Sequence, residues 1–236
     1  IFIECDDYLK EEHPSRVTTD FLYTTADGLQ SAVNGLYTIE RAQVDEGESS
    51  TFAVIMGDGG TDIDFDRVCA PDLVRYRTDV VLANNSTVSS WWQKWYRIIE
   101  RSNSIITFGE QADIDPDQKK VILREAYLYR AYAYFWLVRR FDNIWLTTEP
   151  TTYQNVDGRT FEVAKQEDVY KQIIADLYKA IEYYGDDWAV IHGKFNQGVA
   201  RLLRADVALW QNDYQTAASQ ATQIIDKGPF SLEKPE

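Results

Sequence analysis

The sequence predicts a mainly α protein made of paired helices joined by long irregular loops. Apolar residues recur at three- and four-residue steps over several long segments, whereas period-two strand patterns are sparse. The last two amphipathic segments are separated by a short break at Gln211-Asn212-Asp213, the spacing of an antiparallel helical hairpin. Ala205, Ala217 and Pro229 fall at matching steps along that pair, as small residues and a terminal proline do in a tetratricopeptide (TPR) unit.

Taken in order, residues 1–20 are polar and irregular. A helix is expected from Thr25 to about Glu40, with Leu29, Val33, Leu36 and Tyr37 on one face and Thr25 or Asp27 as its cap. Residues 41–90, rich in Gly, Asp and Asn, read as a loop whose length suits a functional segment. A second helix spans Val88 to Gly109, with Trp91, Trp95, Ile98, Ile99, Ile105 and Ile106 on its apolar face and Trp92 off it. A third runs from Pro116 to Phe141, with Asp115 placed to cap it and Pro116 just inside its start. Its Ala126, Ala131 and Ala133 lie among large aromatic residues, so a neighbouring helix can approach closely. Residues 142–166 form another loop with short extended pieces. Gln166 to Tyr184 carries the stripe Val169, Ile173, Leu177, Ala180, and the closing pair spans 197–211 and 213–227.

Hydrophobic residues make up 44% of the 236, enough for a packed core. The net charge of −14 opposes binding to nucleic acid, which needs clustered Lys and Arg to replace phosphate counterions. It equally opposes adsorption to an anionic lipid surface. The 7 Trp, 15 Tyr and 10 Phe supply core volume and also suit flat stacking surfaces for sugars or peptides. Two cysteines, Cys5 and Cys69, and two histidines, His13 and His192, give neither a zinc ligand set nor a Ser-His-Asp order. No apolar run is long enough to span a bilayer.

The acidic loop Asp58 to Asp66 has alternating carboxylates that could face a calcium ion. Counted from Asp62, Arg67 stands where an EF-hand needs Gly and Leu73 where it needs Glu, so a solvated loop is the favoured reading. No catalytic residue, metal site or cofactor is assigned.

Four segments together resemble the N-terminal half of the SusD/RagB family. They are Trp91-x3-Trp95-Tyr96 with Asn103-x-Ile105-Ile106; Arg124-Glu125-Ala126-Tyr127-Leu128-Tyr129-Arg130-Ala131 continuing through Tyr134-Phe135 to Phe141; Asp168-Val169-Tyr170 with Ile173, Asp176, Leu177 and Ala180; and Ala200 to Ala205, Leu209-Trp210, Asp213-Tyr214, Ala217, Ala221 and Gly228-x-Phe230-x-Leu232. After the second segment the family usually has Gly followed by Val-Pro-Leu. Here Asp142 and Asn143 precede Ile144-Trp145-Leu146, and an Asp or Asn is expected to take the left-handed turn of the glycine.

The resemblance implies a SusD-like α-α superhelix, with residues 1–24 as a lipoprotein-like segment and 25–236 as the TPR-containing domain, the N-terminal part of a longer one. It implies acylation at Cys5, a lipid anchor in the outer membrane at the cell surface, and a SusC-like TonB-dependent β-barrel transporter as partner. The ligand would be an oligosaccharide or a peptide, bound and released without covalent chemistry. It maps part of the ligand surface onto residues 57–90, where Asp66, Arg67, Arg75, Arg77 and Asn84 can hydrogen-bond a polyhydroxy ligand and Tyr76 can stack on it. It makes the Trp helix scaffold. Two other readings remain: a TPR-type adaptor for a protein partner, and a helical glycoside hydrolase.

Overall fold

The computed structural model describes residues 19–45, 86–152 and 154–231. Within them the chain forms α1 (Thr19–Thr24), α2 (Ala26–Asp45), α3 (Ser86–Gln111), α4 (Pro116–Val138), α5 (Gln166–Tyr184), α6 (Gln197–Trp210) and α7 (Tyr214–Lys227). Between α4 and α5 lies a small antiparallel ribbon, β1 (Ile144–Trp145) with β2 (Val163–Ala164), pairing Ile144 with Ala164 and Trp145 with Val163.

The helix starts follow the expected chemistry. Thr25 Oγ1 accepts from Gly28 N–H at 3.1 Å, and Asp115 accepts from the N–H groups of Asp117 and Gln118 at 3.1 and 3.0 Å. Asn196 and Asp213 cap α6 and α7 in the same way. Each such cap is worth about 1 kcal/mol. The α6–α7 turn uses Asn212 in the left-handed region, φ 59°, where its short polar side chain is tolerated.

Several boundaries differ from the sequence-based expectation, α3 running from Ser86 to Gln111 rather than from Val88 to Gly109. Helix α1 begins inside the segment read as irregular and is braced by tertiary contact, Tyr23 packing 5.1 Å from Phe108. Helix α2 runs on to Asp45. Helix α4 ends at Val138 rather than Phe141, and the expected left-handed turn at Asp142 or Asn143 is absent: Asn212 is the non-glycine residue with positive φ among the described residues. The end needs no such turn, because the N–H groups of Arg140 and Phe141 both close onto the carbonyl of Leu137, at 3.1 and 2.8 Å.

Helix α4 is the centre of the molecule. It packs against α2, α3, α5 and α6, and Leu128, Tyr129, Ala131, Ala133, Tyr134 and Phe135 are all fully buried. A helix buried around its girth loses one-sided amphipathicity. The fully buried alanines Ala126, Ala131 and Ala133 admit the neighbouring helices, as expected. On α3 Trp91 and Trp95 are core residues, Trp95 stacking on Trp136 at 5.8 Å and 8°. At the far end Ala205 and Ala217 are buried where α6 and α7 meet. The Phe230 ring lies so close over Gly198 that a Cβ there would come within 2.7 Å, which gives the ending Gly228-x-Phe230 its packing role.

Two polar clusters sit inside this core. Arg130, 4% exposed, makes a bidentate pair with Asp176, Nε to Oδ2 at 2.8 Å and Nη2 to Oδ1 at 2.6 Å. Its Nη1 donates to Asn103 Oδ1 at 3.0 Å. Burial pulls the guanidinium pKa down, but the hydrogen-bonded Asp176 carboxylate more than reverses that and keeps the group charged. In the second cluster Tyr37 donates to Glu125 at 2.5 Å and Tyr129 donates to Glu40 at 2.6 Å, while the Phe195 N–H donates to Tyr37 at 2.8 Å.

Asp176→Ala strands a buried cation and should lower stability by about 3–5 kcal/mol, read as a fall in the urea midpoint, with Asp176→Asn losing less; an unchanged midpoint for Asp176→Ala would contradict this role. Burial raises the Glu125 carboxyl above its ordinary value, with the Tyr37 hydrogen bond offsetting part of the rise. The folded state therefore holds this proton more tightly than the unfolded state. The associated stability is fully present below the ordinary carboxylate range and declines as pH rises through it towards the folded pKa. Glu125→Gln should make the denaturant midpoint fall less between acid and neutral pH than it does in the parent protein.

Candidate functional site

The β1–β2 ribbon has only two residues in each strand, too few to hold itself. Its shape is imposed by side chains from α3 and α4. Tyr96 on α3 donates its hydroxyl to the carbonyl of Trp145 and accepts from the Trp145 N–H, both at 2.8 Å. Tyr134 on α4 does the same two residues on, at Thr147, at 2.7 and 2.8 Å. Because strand backbone groups repeat on the same edge every two residues, the two hydroxyls together act as a missing neighbouring strand. Burial raises the pKa of both phenols, with the hydrogen bond to the backbone acting in the opposite sense, so both remain donors at any physiological pH.

The buried arginine cluster continues into the same loop. Asn103 Nδ2 donates to the carbonyls of Thr147 and Glu149 at 3.2 and 3.3 Å. On the outer side Arg159 donates to Thr147 Oγ1 at 3.0 Å and also bonds Thr151 Oγ1 and the Glu149 carbonyl. Its guanidinium lies 3.6 Å from the Glu100 carboxylate and 5.2 Å over the Trp145 ring. Glu100 in turn accepts from the Thr151 N–H at 2.5 Å.

Two adjoining cavities open on this ribbon and share Trp145. The first, about 460 Å3, is an aromatic cup between Trp92, Gln93 and Tyr96 of α3 and Asn143, Trp145, Phe161 and Val163 of the ribbon region. Its rings form a continuous row: Trp92 to Tyr96 at 4.8 Å, Tyr96 to Trp145 at 5.9 Å, Trp145 to Phe161 at 4.7 Å. Phe161 is 73% exposed and Val163 63% exposed. The second, about 570 Å3, is a polar trough along Thr147, Thr148, Glu149, Asn155, Arg159 and Glu162. Both volumes are in the range of small-ligand sites, about 300–1,000 Å3. Ring faces held beside amides and carboxylates can stack on a flat apolar face while accepting hydrogen bonds from the edge of the same ligand.

The residues singled out from the sequence, Asp66, Arg67, Arg75, Tyr76, Arg77 and Asn84, lie outside the described residues, as do Cys5 and the Asp58–Asp66 loop. Within the described residues the Trp helix is scaffold as expected, and one side of it also lines the cup. Trp91 and Trp95 are core, but Trp92 and Tyr96 turn to the cup. The residue missed altogether is Phe161, which carries no periodic signal because it stands in a loop. Trp145 stands out in the sequence as a departure from Val-Pro-Leu, which by itself carries no functional signal.

The sequence pattern of the SusD-like family, described as starch-binding and associating with the outer membrane, matches residues 7–205. SusD-like protein P2 of Formosa agariphila is 27% identical over 227 residues, 95% of this chain and 44% of that protein. A SusD-like protein of Bacteroides ovatus is 27% identical over 247 residues, 98% of this chain and 43% of that protein. Among solved structures, a laminarin-binding SusD-like protein superposes with a TM-score of 0.68 at 24% identity, over 86% of this chain and 44% of that one. One solved with a xylogluco-oligosaccharide gives 0.72 at 23%, over 87% and 41%. A SusD-like protein from Bacteroides fragilis gives 0.73 at 18%, over 92% and 40%. The chain thus spans less than half the length of the relatives it matches, and over that span, by sequence pattern and by helical fold, it belongs to the SusD-like family.

Proposed function

We propose that the protein captures oligosaccharide nutrients at the cell surface and hands them to a TonB-dependent β-barrel transporter in the outer membrane. The observation that carries this reading is the family match across residues 7–205, whose description is binding of starch in association with the outer membrane. Structures of like fold include one named for laminarin and one solved with a xylogluco-oligosaccharide, which makes a glycan a better first ligand to test than a peptide. The mode of action is binding and release, without a covalent step.

In this reading Cys5 carries the acyl anchor. Each buried CH2 contributes about 0.8 kcal/mol, so more than one chain is needed for stable attachment. Arg67, Arg75, Arg77, Asn84 and Asp66 supply hydrogen bonds and Tyr76 a stacking face on the ligand side. The TPR-like helices serve as the frame.

Purification of the tagged protein from detergent-solubilised membranes of its own cells should bring down a large β-barrel transporter in stoichiometric amount. Recovery from the soluble fraction without such a partner would contradict the transport reading; it would favour the adaptor, or, with turnover of a polysaccharide, the hydrolase.

A further inference from the structure

We propose that the aromatic cup is a subsite for one neutral pyranose unit with all-equatorial hydroxyls, within a chain that continues into the polar trough. This rests on the reading of the protein as glycan-binding and names the place and the class of sugar.

The lining of the cup decides the class. All seven side chains around it are uncharged, so it offers no cation to a carboxylate or a sulfate. Its open wall is Phe161, 73% exposed and packed on Trp145 at 4.7 Å, and its opposite end is the half-buried Trp92. A pyranose with all-equatorial hydroxyls presents C–H groups on both faces and its hydroxyls around the rim. Either face can then lie on a ring, whereas an axial hydroxyl leaves one face that cannot do so without losing its hydration.

The rim of the cup supplies acceptors. Gln93 and Asn143 are both exposed. Their amide nitrogens are engaged with Ser89 Oγ at 3.1 Å and Asp142 Oδ2 at 3.3 Å. The amide oxygens are then the acceptors these two side chains can offer a ligand hydroxyl.

The trough argues in the same direction. Glu149 and Glu162 line it beside Arg159, whose Nη1 and Nη2 groups bond Thr147, Thr151 and Glu149 and whose charge is paired with Glu100 at 3.6 Å. A chain leaving the cup past Trp145 meets carboxylates that accept from hydroxyls and repel acidic units. The site is also built in advance: Trp145 is held by Tyr96 through both of its backbone groups, so little ordering is needed on binding. Trp145, the ring shared by the cup and the trough, stands in the Ile144-Trp145-Leu146 departure from Val-Pro-Leu.

The test is titration calorimetry of the full chain with cellotetraose and laminaritetraose, with mannotetraose as the axial control and tetragalacturonate as the acidic control. At least one gluco-configured tetrasaccharide should bind, and both controls should bind at least about tenfold more weakly. Phe161→Ala should weaken binding about tenfold with an unchanged circular dichroism spectrum, Trp92→Ala should weaken it too, and Phe161→Tyr should restore it. Gluco binding indifferent to Phe161→Ala and Trp92→Ala, or preference for either control, overturns the cup while leaving the glycan reading in place. Binding of none of the tetrasaccharides also overturns it, and retention on a wider set of immobilised polysaccharides then decides the glycan reading separately.

Discussion

The buried pair of Arg130 with Asp176 is the constraint on which the rest of the structure depends. A guanidinium 4% exposed and a carboxylate 1% exposed are tolerable in a core only as a matched pair with further hydrogen bonds around it. Two Arg130 donors go to Asp176 on α5 and one to Asn103 on α3, so a single side chain on α4 sets the relative position of three helices. Asn103 then turns its own amide to the carbonyls of Thr147 and Glu149, extending the same chain of hydrogen bonds from the core to the loop that carries the cavities.

The cup follows from that anchoring. A ribbon two residues long has no stability of its own. Here the tyrosines of α3 and α4 substitute for a third strand, and Arg159 closes the outer side. The rigid backbone lets aromatic side chains stay in the open, since Trp145 is wedged between Tyr96 and Phe161 and cannot collapse inward. Structure and binding thus draw on the same residues: Tyr96 is both the brace of Trp145 and part of the floor of the cup.

Much of the frame was legible in the sequence because helices announce themselves locally. Period and caps place α3 to α7 within a few residues, and Asp115, Asn196 and Asp213 begin their helices by short-range hydrogen bonds. Asn103, Tyr134, Arg130 and Asp176 were all visible as members of recognisable segments, yet their meeting was not, because they come from different helices and no local pattern encodes the contact. The cup was less legible still. Phe161 and Trp145 lie in a loop without periodicity, and Trp92 differs from Trp91 and Trp95 only by its position around α3, which separates core from surface but does not say what the surface faces. The turn at Asp142 and Asn143 was misread because a left-handed residue is one way to end a helix, and Leu137 accepts two N–H groups instead.

Helix-borne hydroxyls hold the ribbon as firmly as a strand would. Amide hydrogen exchange at Trp145 and Thr147 measures this directly. These two amides should be protected to a degree comparable with the amides of α4, with exchange at the exposed Thr148 much faster. Exchange of Trp145 and Thr147 at the rate of an open loop would contradict it.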